Sequence, residues 1–358
     1  MSFQDTIIIG AGIAGISAAY HLQEINIPSQ IIEKNNSWGG LCDNFVINGF
    51  LFDKFIHLSF SDNDYVRELF NNSSDSYVHI PDPVNYCNGR CLKHPLQNNL
   101  YKLPIDEKIK IIKSFIKKDN NRISGFNSYE EWLRNQYGDY FAEKYPMQYT
   151  KKYWTVEAKE LETKWIGNRM YKSSIEEVLK GAMTINTPNT YYAKEMRYPI
   201  KGGYKAFLSK MAESLDIILG DEVVRIDTNN KYILLSSNKK IYYRQLISTI
   251  PLPELCKMII NIPDVVIDAC KKLKYTSGVL ISLGFCKRNI PKNLWMYIYD
   301  KKIKTSRIYS PSIKASSNAP CGCSSIQGEV YFSNEELLDL DLEKLLEDEI
   351  NNYIKMEK

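Results

Sequence analysis

The sequence predicts an α/β fold that opens on a parallel strand–helix–strand crossover. Three observations carry the reading. An apolar run, Ile7-Ile8-Ile9, meets Gly10-x-Gly12-x-x-Gly15. A helical stretch follows. A second short strand, Gln30-Ile31-Ile32, then ends on the acid Glu33, with Lys34 beside it. In a nucleotide-binding crossover the three glycines do different things. Gly10 permits a tight turn, Gly12 lets the backbone approach a pyrophosphate, and Gly15 allows close helix–strand packing. Ala14 lies in the first helical turn, whose N–H groups and positive dipole end suit phosphate oxygens. Glu33 follows about 20 residues on, where a carboxylate accepts from a ribose hydroxyl. Dinucleotide binding therefore leads over the alternative, a glycine-rich turn in some other α/β unit.

The later elements follow in order. Gly39-Gly40-Leu41 is a second glycine turn, able to adopt positive φ and bring more backbone against a diphosphate; a simple turn is the alternative. Gly49 to Phe60 alternates aromatics and predicts one strand closed by His57. Residues 66–104 read as short strands and polar turns around Pro81, Pro83 and Gly89. From Ile105 to about Lys194 the signals are helical. Asp106 reads as a cap for the run carrying Ile109, Ile112, Phe115 and Ile116, and Ser128-x-x-Glu131 reads as a capping box. Gly202-Gly203 introduces an amphipathic helix with Tyr204, Phe207, Leu208, Met211 and Leu215. Ile217–Asp227 reads as one strand, and Leu246–Ile250, with Thr249 in it, as another. Val279–Cys286, Trp295–Tyr299 and Gly328–Phe332 alternate like an antiparallel sheet. Glu335–Lys358 reads as a charged amphipathic helix.

Composition narrows the class. The 358 residues are 44% hydrophobic and 25% charged, with a net charge of +4, which gives no case for nucleic acid as partner. Eight cysteines are scattered, without paired ligand sets or a dense disulfide framework. Cys321-x-Cys323 is the nearest approach to one, and no metal site is expected. No apolar run reaches the ~18 residues of a membrane helix. The first strand starts close to Met1, leaving no room for a signal peptide, so the expected location is cytoplasmic. No Ser-His-Asp set, HExxH or P-loop is visible.

Five further stretches carry a resemblance: Val84–Arg90 with Lys93–Leu100 (KHPLQNNL), Gly125–Trp132 (GFNSYEEW), Tyr149–Arg169 (YTKKYWTVEAKELETKWIGNR) and Tyr198–Tyr204 (YPIKGGY), all after the N-terminal fingerprint. Taken in this order, the chain resembles the FAD-binding amine oxidase and protoporphyrinogen oxidase superfamily, which also holds the Rab GDP-dissociation inhibitors. It is most similar to the UDP-galactopyranose mutase-like flavoproteins of surface-polysaccharide biosynthesis. The resemblance implies a Rossmann-type FAD-binding domain (1–65 and 198–255), an inserted helical subdomain (105–195), an antiparallel-sheet substrate domain (66–104 and 256–335) and a C-terminal helix (336–358). Two departures stand out. Phe55 occupies a position where relatives often carry Gly, and the family's second flavin segment, a Gly-Asp opening a late helix, has no counterpart before Lys358.

The resemblance implies FAD as cofactor. Its candidate contacts are Gly10, Gly12, Ala14, Gly15, Glu33, Lys34, Gly39, Gly40, Leu41 and Thr249, backbone near Val223 or Val224 at the adenine, and His57 beside the isoalloxazine. Plain sheet core is the alternative for Val223 and Val224. The candidate catalytic set is His57, Arg169 and Arg90, with Arg307 and Arg288 as weaker choices for diphosphate. Asn98, Asn99, Trp154, Trp165 and Arg169 are the candidate substrate contacts, joined by Tyr153. Helix core is the alternative for the aromatics, and a polar turn for the asparagines. The expected substrate is a nucleotide sugar, with a reductant for the flavin. Two alternatives stay open: an amine-oxidase or protoporphyrinogen-oxidase type oxidoreductase, and a non-enzymatic binding protein of the same fold.

Overall fold

The computed structural model describes residues 2–118 and 124–357. Residues 119–123, inside the expected helical block, and the terminal residues 1 and 358 lie outside the described residues. The chain forms two compact units. The first comprises Met1–Val78, Arg197–Lys274 and Ala315–Asn318; the second comprises His79–Met196, Tyr275–Lys314 and Ala319–Lys358. Residues 66–78 and 256–274, assigned from sequence to the sheet domain, thus fall in the first unit.

In the first unit β1 (Ser2–Ile9) runs parallel to β2 (Ser29–Glu33) on one side and to Lys240–Ser248 on the other. The unbroken run Ile7-Ile8-Ile9 follows from cover on both faces, as in buried parallel sheets. Ile7 and Ile9 pack with Ile226, Ile233 and Ile241. Ile8 packs with Ala19 of α1 (Ile13–Glu24) and with Ile31. Each isoleucine so buried contributes about 2 kcal/mol. The sheet continues from β2 to Asp216–Leu219, and from Lys240–Ser248 through Tyr232–Leu235 to Val223–Asp227.

Two strands expected from sequence are shorter than predicted. Ile217–Asp227 is two strands, Asp216–Leu219 and Val223–Asp227, because Gly220 turns between them at φ 73° and each half pairs with a different neighbour. The Gly49–Phe60 strand stops at Asp53. β3 (Asn44–Ile47) and β4 (Phe50–Asp53) form a hairpin over Asn48 (φ 50°) and Gly49 (φ 81°). β3 offers four partners and no more, and the buried Asp53 carboxylate is taken by the Tyr198 hydroxyl (2.7 Å) and the Tyr204 N–H (3.0 Å).

The second unit holds a six-stranded sheet, ordered Ser277–Phe285, Ser324–Phe332, Arg307–Tyr309, Trp295–Ile298, Val84–Cys87, Arg90–Lys93. All its pairs are antiparallel except Trp295–Ile298 with Val84–Cys87. Ser324–Phe332 is buried along almost its whole length, so it lacks the alternation expected of it. The helices Ile105–Lys117, Tyr129–Tyr137, Asp139–Lys144, Pro146–Trp154 and Ile175–Met183 share an aromatic core with Trp132, Tyr137, Phe141 and Tyr145.

Capping differs from expectation. Pro104, not Asp106, takes the N-cap of Ile105–Lys117, and Asp106 serves in the first turn near the dipole's positive end. Ser128 accepts from the Glu131 N–H (3.3 Å), but the Glu131 carboxylate takes the Asn127 N–H (3.2 Å), half of the expected box. The terminal helix comes in two pieces, Asn334–Leu338 and Leu342–Glu357.

Candidate functional site

The first unit carries a glycine crevice at the end of β1. Gly10 turns at φ 98° and its N–H bonds the Ile32 carbonyl (2.9 Å). A Cβ on Gly15 would meet the Gly10 carbonyl oxygen, so glycine there is dictated by packing. Gly12 is different. Its φ of −73° suits any residue, and a Cβ there would find only Gly40 Cα at 4.0 Å. Folding does not ask for glycine at Gly12, and the bare backbone leaves room for an approaching ligand. Gly12 also caps α1 without a side chain, leaving the helix's first N–H groups to an external acceptor.

The second glycine turn lies directly on the first. The Gly39 N–H bonds the Ala11 carbonyl (2.7 Å), and Gly12 and Gly39 form a parallel bridge. Gly39 and Gly40 have φ of 114° and 57°, and a Cβ on Gly40 would come 3.0 Å from Gly12 Cα. Asp43 anchors this turn through Lys205 (2.8 Å) and Lys54 (2.9 Å). Burial alone would raise the Asp43 pKa, yet the bonds from these two lysines hold it below the usual carboxylate range.

Thr249 joins the crevice from the neighbouring strand's end. Its hydroxyl donates to the Ile9 (2.9 Å) and Gly10 (3.2 Å) carbonyls. Glu33 is buried, and its carboxylate takes the Ala11 N–H (2.9 Å) and the Asn35 N–H (2.9 Å) and side-chain amide (2.6 Å). A carboxylate offers about four acceptor positions, so Glu33 retains capacity for a ribose hydroxyl while it fixes the turn. Ala14, Lys34 and Leu41 are exposed around the crevice. Val223 is buried in the sheet, while Val224 is exposed at a bulge where the ladder skips from Val223 to Arg225. His57 follows the hairpin in irregular chain, with Nδ1 donating to the Phe55 carbonyl (2.9 Å) and its ring 4.9 Å from that of Tyr204. Nδ1 thus carries the proton in the neutral ring, with Nε2 as the acceptor.

These residues fit FAD. The Gly10–Gly15 and Gly39–Gly40 turns suit the diphosphate, Glu33 the ribose and the Val223–Val224 edge the adenine.

The second unit contains a cavity of about 450 Å³ walled by aromatic rings. Tyr149, Tyr153 and Trp154 come from Pro146–Trp154, where the first two lie one turn apart. Tyr297 and Tyr299 alternate from the strand at Trp295, and Trp165, Arg169, Tyr191 and His94 complete much of the wall. The Trp154 and Trp165 ring centroids are 6.1 Å apart. Arg169 is exposed at this cavity. The Tyr149 hydroxyl is buried and has no hydrogen-bond partner among the described residues. Burial pushes the Tyr149, Tyr191 and Tyr299 phenols up, so all three stay protonated. Desolvation beside these rings holds the His94 imidazole down to about 3, and it stays neutral near pH 7.

The structure therefore brings Arg169, Trp154, Trp165 and Tyr153 to one cavity and leaves other candidates elsewhere. Arg90 is exposed beside the Asn88-Gly89 turn, where its Nη1 donates to the Asn88 carbonyl (3.3 Å), and it is not among the cavity walls. Asn98 and Asn99 are buried and spent on the chain itself. Asn99 donates to the Pro95 carbonyl (2.7 Å) and accepts from Thr187, and Asn98 donates to Thr190 (3.5 Å). Neither lines the cavity, whereas Gln97 does. Arg307 is committed to the fully buried Glu329 (Nε 2.8 Å, Nη2 2.6 Å), and Arg288 is exposed. Tyr149, Tyr191, Tyr297, Tyr299, His94 and Gln97 do not stand out as site residues from sequence. For Tyr149 the signals are its one-turn spacing from Tyr153 and its place at the start of the Tyr149–Arg169 stretch, and Tyr191 has none. Among the described residues no cluster of His, Cys, Asp and Glu suits a metal ion, and no helix is long and apolar enough to cross a membrane.

The family model for flavin containing amine oxidoreductases matches residues 13–325. Among solved structures, reduced UDP-galactopyranose mutase is similar over 97% of this chain and 78% of its own, with a TM-score of 0.88 and 24% identity. An oxidoreductase from Methanosarcina mazei matches over 99% and 84%, with a TM-score of 0.69 and 16% identity. Putrescine oxidase bound to putrescine matches over 99% and 81%, with a TM-score of 0.63 and 15% identity. At such identities these likenesses speak for the fold.

Proposed function

The chain belongs to the flavin containing amine oxidoreductase family, and from that premise we propose that this FAD-dependent flavoenzyme acts on a nucleotide sugar in the manner of a UDP-galactopyranose mutase. One observation carries the reading: a cavity walled by tyrosine and tryptophan rings, with Arg169 among its lining residues. Aromatic faces suit a nucleobase and the apolar face of a sugar. A guanidinium suits a diphosphate, because its fork matches two phosphate oxygens.

Bound FAD supplies the reactive ring, and its reduced form is the electron-rich partner a mutase needs. The protein's own groups do the rest. Gly12 and Gly40 admit the FAD diphosphate, and His57 helps hold the isoalloxazine. Arg169 holds the nucleotide's phosphates, and Trp154 with Trp165 flank the base. The Tyr149, Tyr191 and Tyr299 phenols stay protonated and put no negative charge beside an anionic ligand.

A screen of UDP- and dTDP-sugars with dithionite-reduced protein tests this reading. Interconversion of sugar ring forms, without oxygen uptake, is the expected result. The same aromatic walls also suit an organic cation through cation–π attraction, the feature that favours the amine-oxidase reading. Peroxide release with amines, and no turnover of any nucleotide sugar, would establish that second reading instead.

A further inference from the structure

We propose that Cys256 and Cys270 form a reversible disulfide, a modification site in the nucleotide-binding unit that the flavin chemistry does not use. The two residues are 14 positions apart, on the packed helices Leu252–Met258 and Asp264–Lys271. Their sulfurs lie 2.6 Å apart as thiols, against the roughly 2.05 Å of a disulfide bond. Both are only half-buried, so a small oxidant reaches them. Cys42 and Cys87 are enclosed, and burial pushes their thiols up to about 11; the Cys256 thiol is raised as well, by its contact with Cys270 first, but it stays accessible. Cys91 is exposed, and Cys286, Cys321 and Cys323 form the one other group to compete among the described residues.

The turn between the two helices is tied to the sheet. The Ile260 N–H bonds the Ile226 carbonyl (3.0 Å), and Ile259 bridges Ile226. A cross-link here closes that turn against Val223–Asp227, the strand at the candidate adenine edge.

The oxidant is a hydroperoxide, with hydrogen peroxide as the probe. One thiolate attacks a peroxide oxygen, the O–O bond breaks, and a sulfenic acid and hydroxide form. The second thiolate displaces hydroxide from that sulfur and the S–S bond forms. Two thiols and one peroxide thus give one disulfide and two waters; the sulfurs lose two electrons in all, and peroxide gains them. A dithiol such as dithiothreitol reverses the reaction.

The test uses the whole FAD-loaded protein, reduced, desalted and treated with a small excess of hydrogen peroxide. Residual thiols are blocked with N-ethylmaleimide and the protein is digested without reductant. Expected is a linked peptide pair containing Cys256 and Cys270, lighter by two hydrogens and separated by dithiothreitol. Oxidation should also raise the melting temperature by roughly 5 °C, since a loop of this size is closed. The doubly substituted Cys256→Ser, Cys270→Ser protein should lose that rise. Recovery of both cysteines as maleimide adducts, or a sulfinic acid on either without a cross-link, overturns the proposal. So does an equal melting rise in the double variant. Should that variant fail to fold, the peptide map of the parent decides alone.

Discussion

A methyl group on Gly15 would collide with the carbonyl oxygen of Gly10, closer than any real contact allows. The helix and the strand it follows therefore depend on a bare backbone at this point. Gly15→Ala is expected to destabilise the protein by about 1–3 kcal/mol, as overpacking does, and to strip it of FAD. Thermal unfolding and flavin absorbance after desalting measure both effects; wild-type values for each would refute the close approach.

Gly12→Val should separate these two effects. The backbone there is ordinary and the nearest atom to a Cβ is 4.0 Å away, so stability should stay within about 0.5 kcal/mol of the parent. The branched side chain projects into the space assigned to the diphosphate, and flavin content should fall sharply. A yellow Gly12→Val protein would remove the diphosphate from this crevice.

Arg169→Ala should weaken nucleotide-sugar binding by about 10- to 100-fold, the loss of a charge-assisted contact, with flavin content unchanged. Titration followed by tryptophan fluorescence suits the purpose, because Trp154 and Trp165 line the same cavity. Equal affinity in variant and parent would take Arg169 out of the site.

His94 links stability to pH. Its pKa is depressed to about 3 in the folded protein by desolvation, against an unfolded value of about 6.5. The unfolded chain therefore binds the proton more readily, so stability is full above the unfolded value and declines as pH falls toward the folded one. His94→Gln should flatten the decline between those limits in urea titrations at successive pH values. An unchanged slope would show that His94 is not held neutral.

Two guanidinium nitrogens of Arg307 hold one oxygen of the fully buried Glu329 carboxylate. Removing Arg307 leaves that buried carboxylate without its cation, so Arg307→Met should cost about 3 kcal/mol or more. Chemical denaturation reads it directly, and a loss below about 1 kcal/mol would place the pair among weak surface contacts.

Much of the first crossover was legible in the residues. Gly10, Gly12, Gly15 and Glu33 stand at spacings set by one turn and one helix, and local backbone geometry repeats wherever that spacing occurs. The Gly39–Gly40 turn was also visible, though not its contact with Gly12. Element ends were less so. Nothing within Gly49–Phe60 says that its partner strand has four residues, and nothing within Ile217–Asp227 says that its halves pair with different neighbours.

The candidate substrate cavity lay further out of reach. Asn98 and Asn99 look like binding groups by type, yet their amides are consumed by Pro95, Thr187 and Thr190. Arg307 looks available until Glu329 is placed beside it. His94, Tyr191 and Tyr297 come from three separated segments and meet within ring distances of 5.0 to 5.7 Å. The sequence by itself determined the dinucleotide crossover and the two-faced burial of its first strand, because both arise from neighbours along the chain. Tertiary structure alone decided which polar side chains are left for a ligand, because a hydrogen bond spends a donor or acceptor on whatever the fold brings within reach, however distant in sequence.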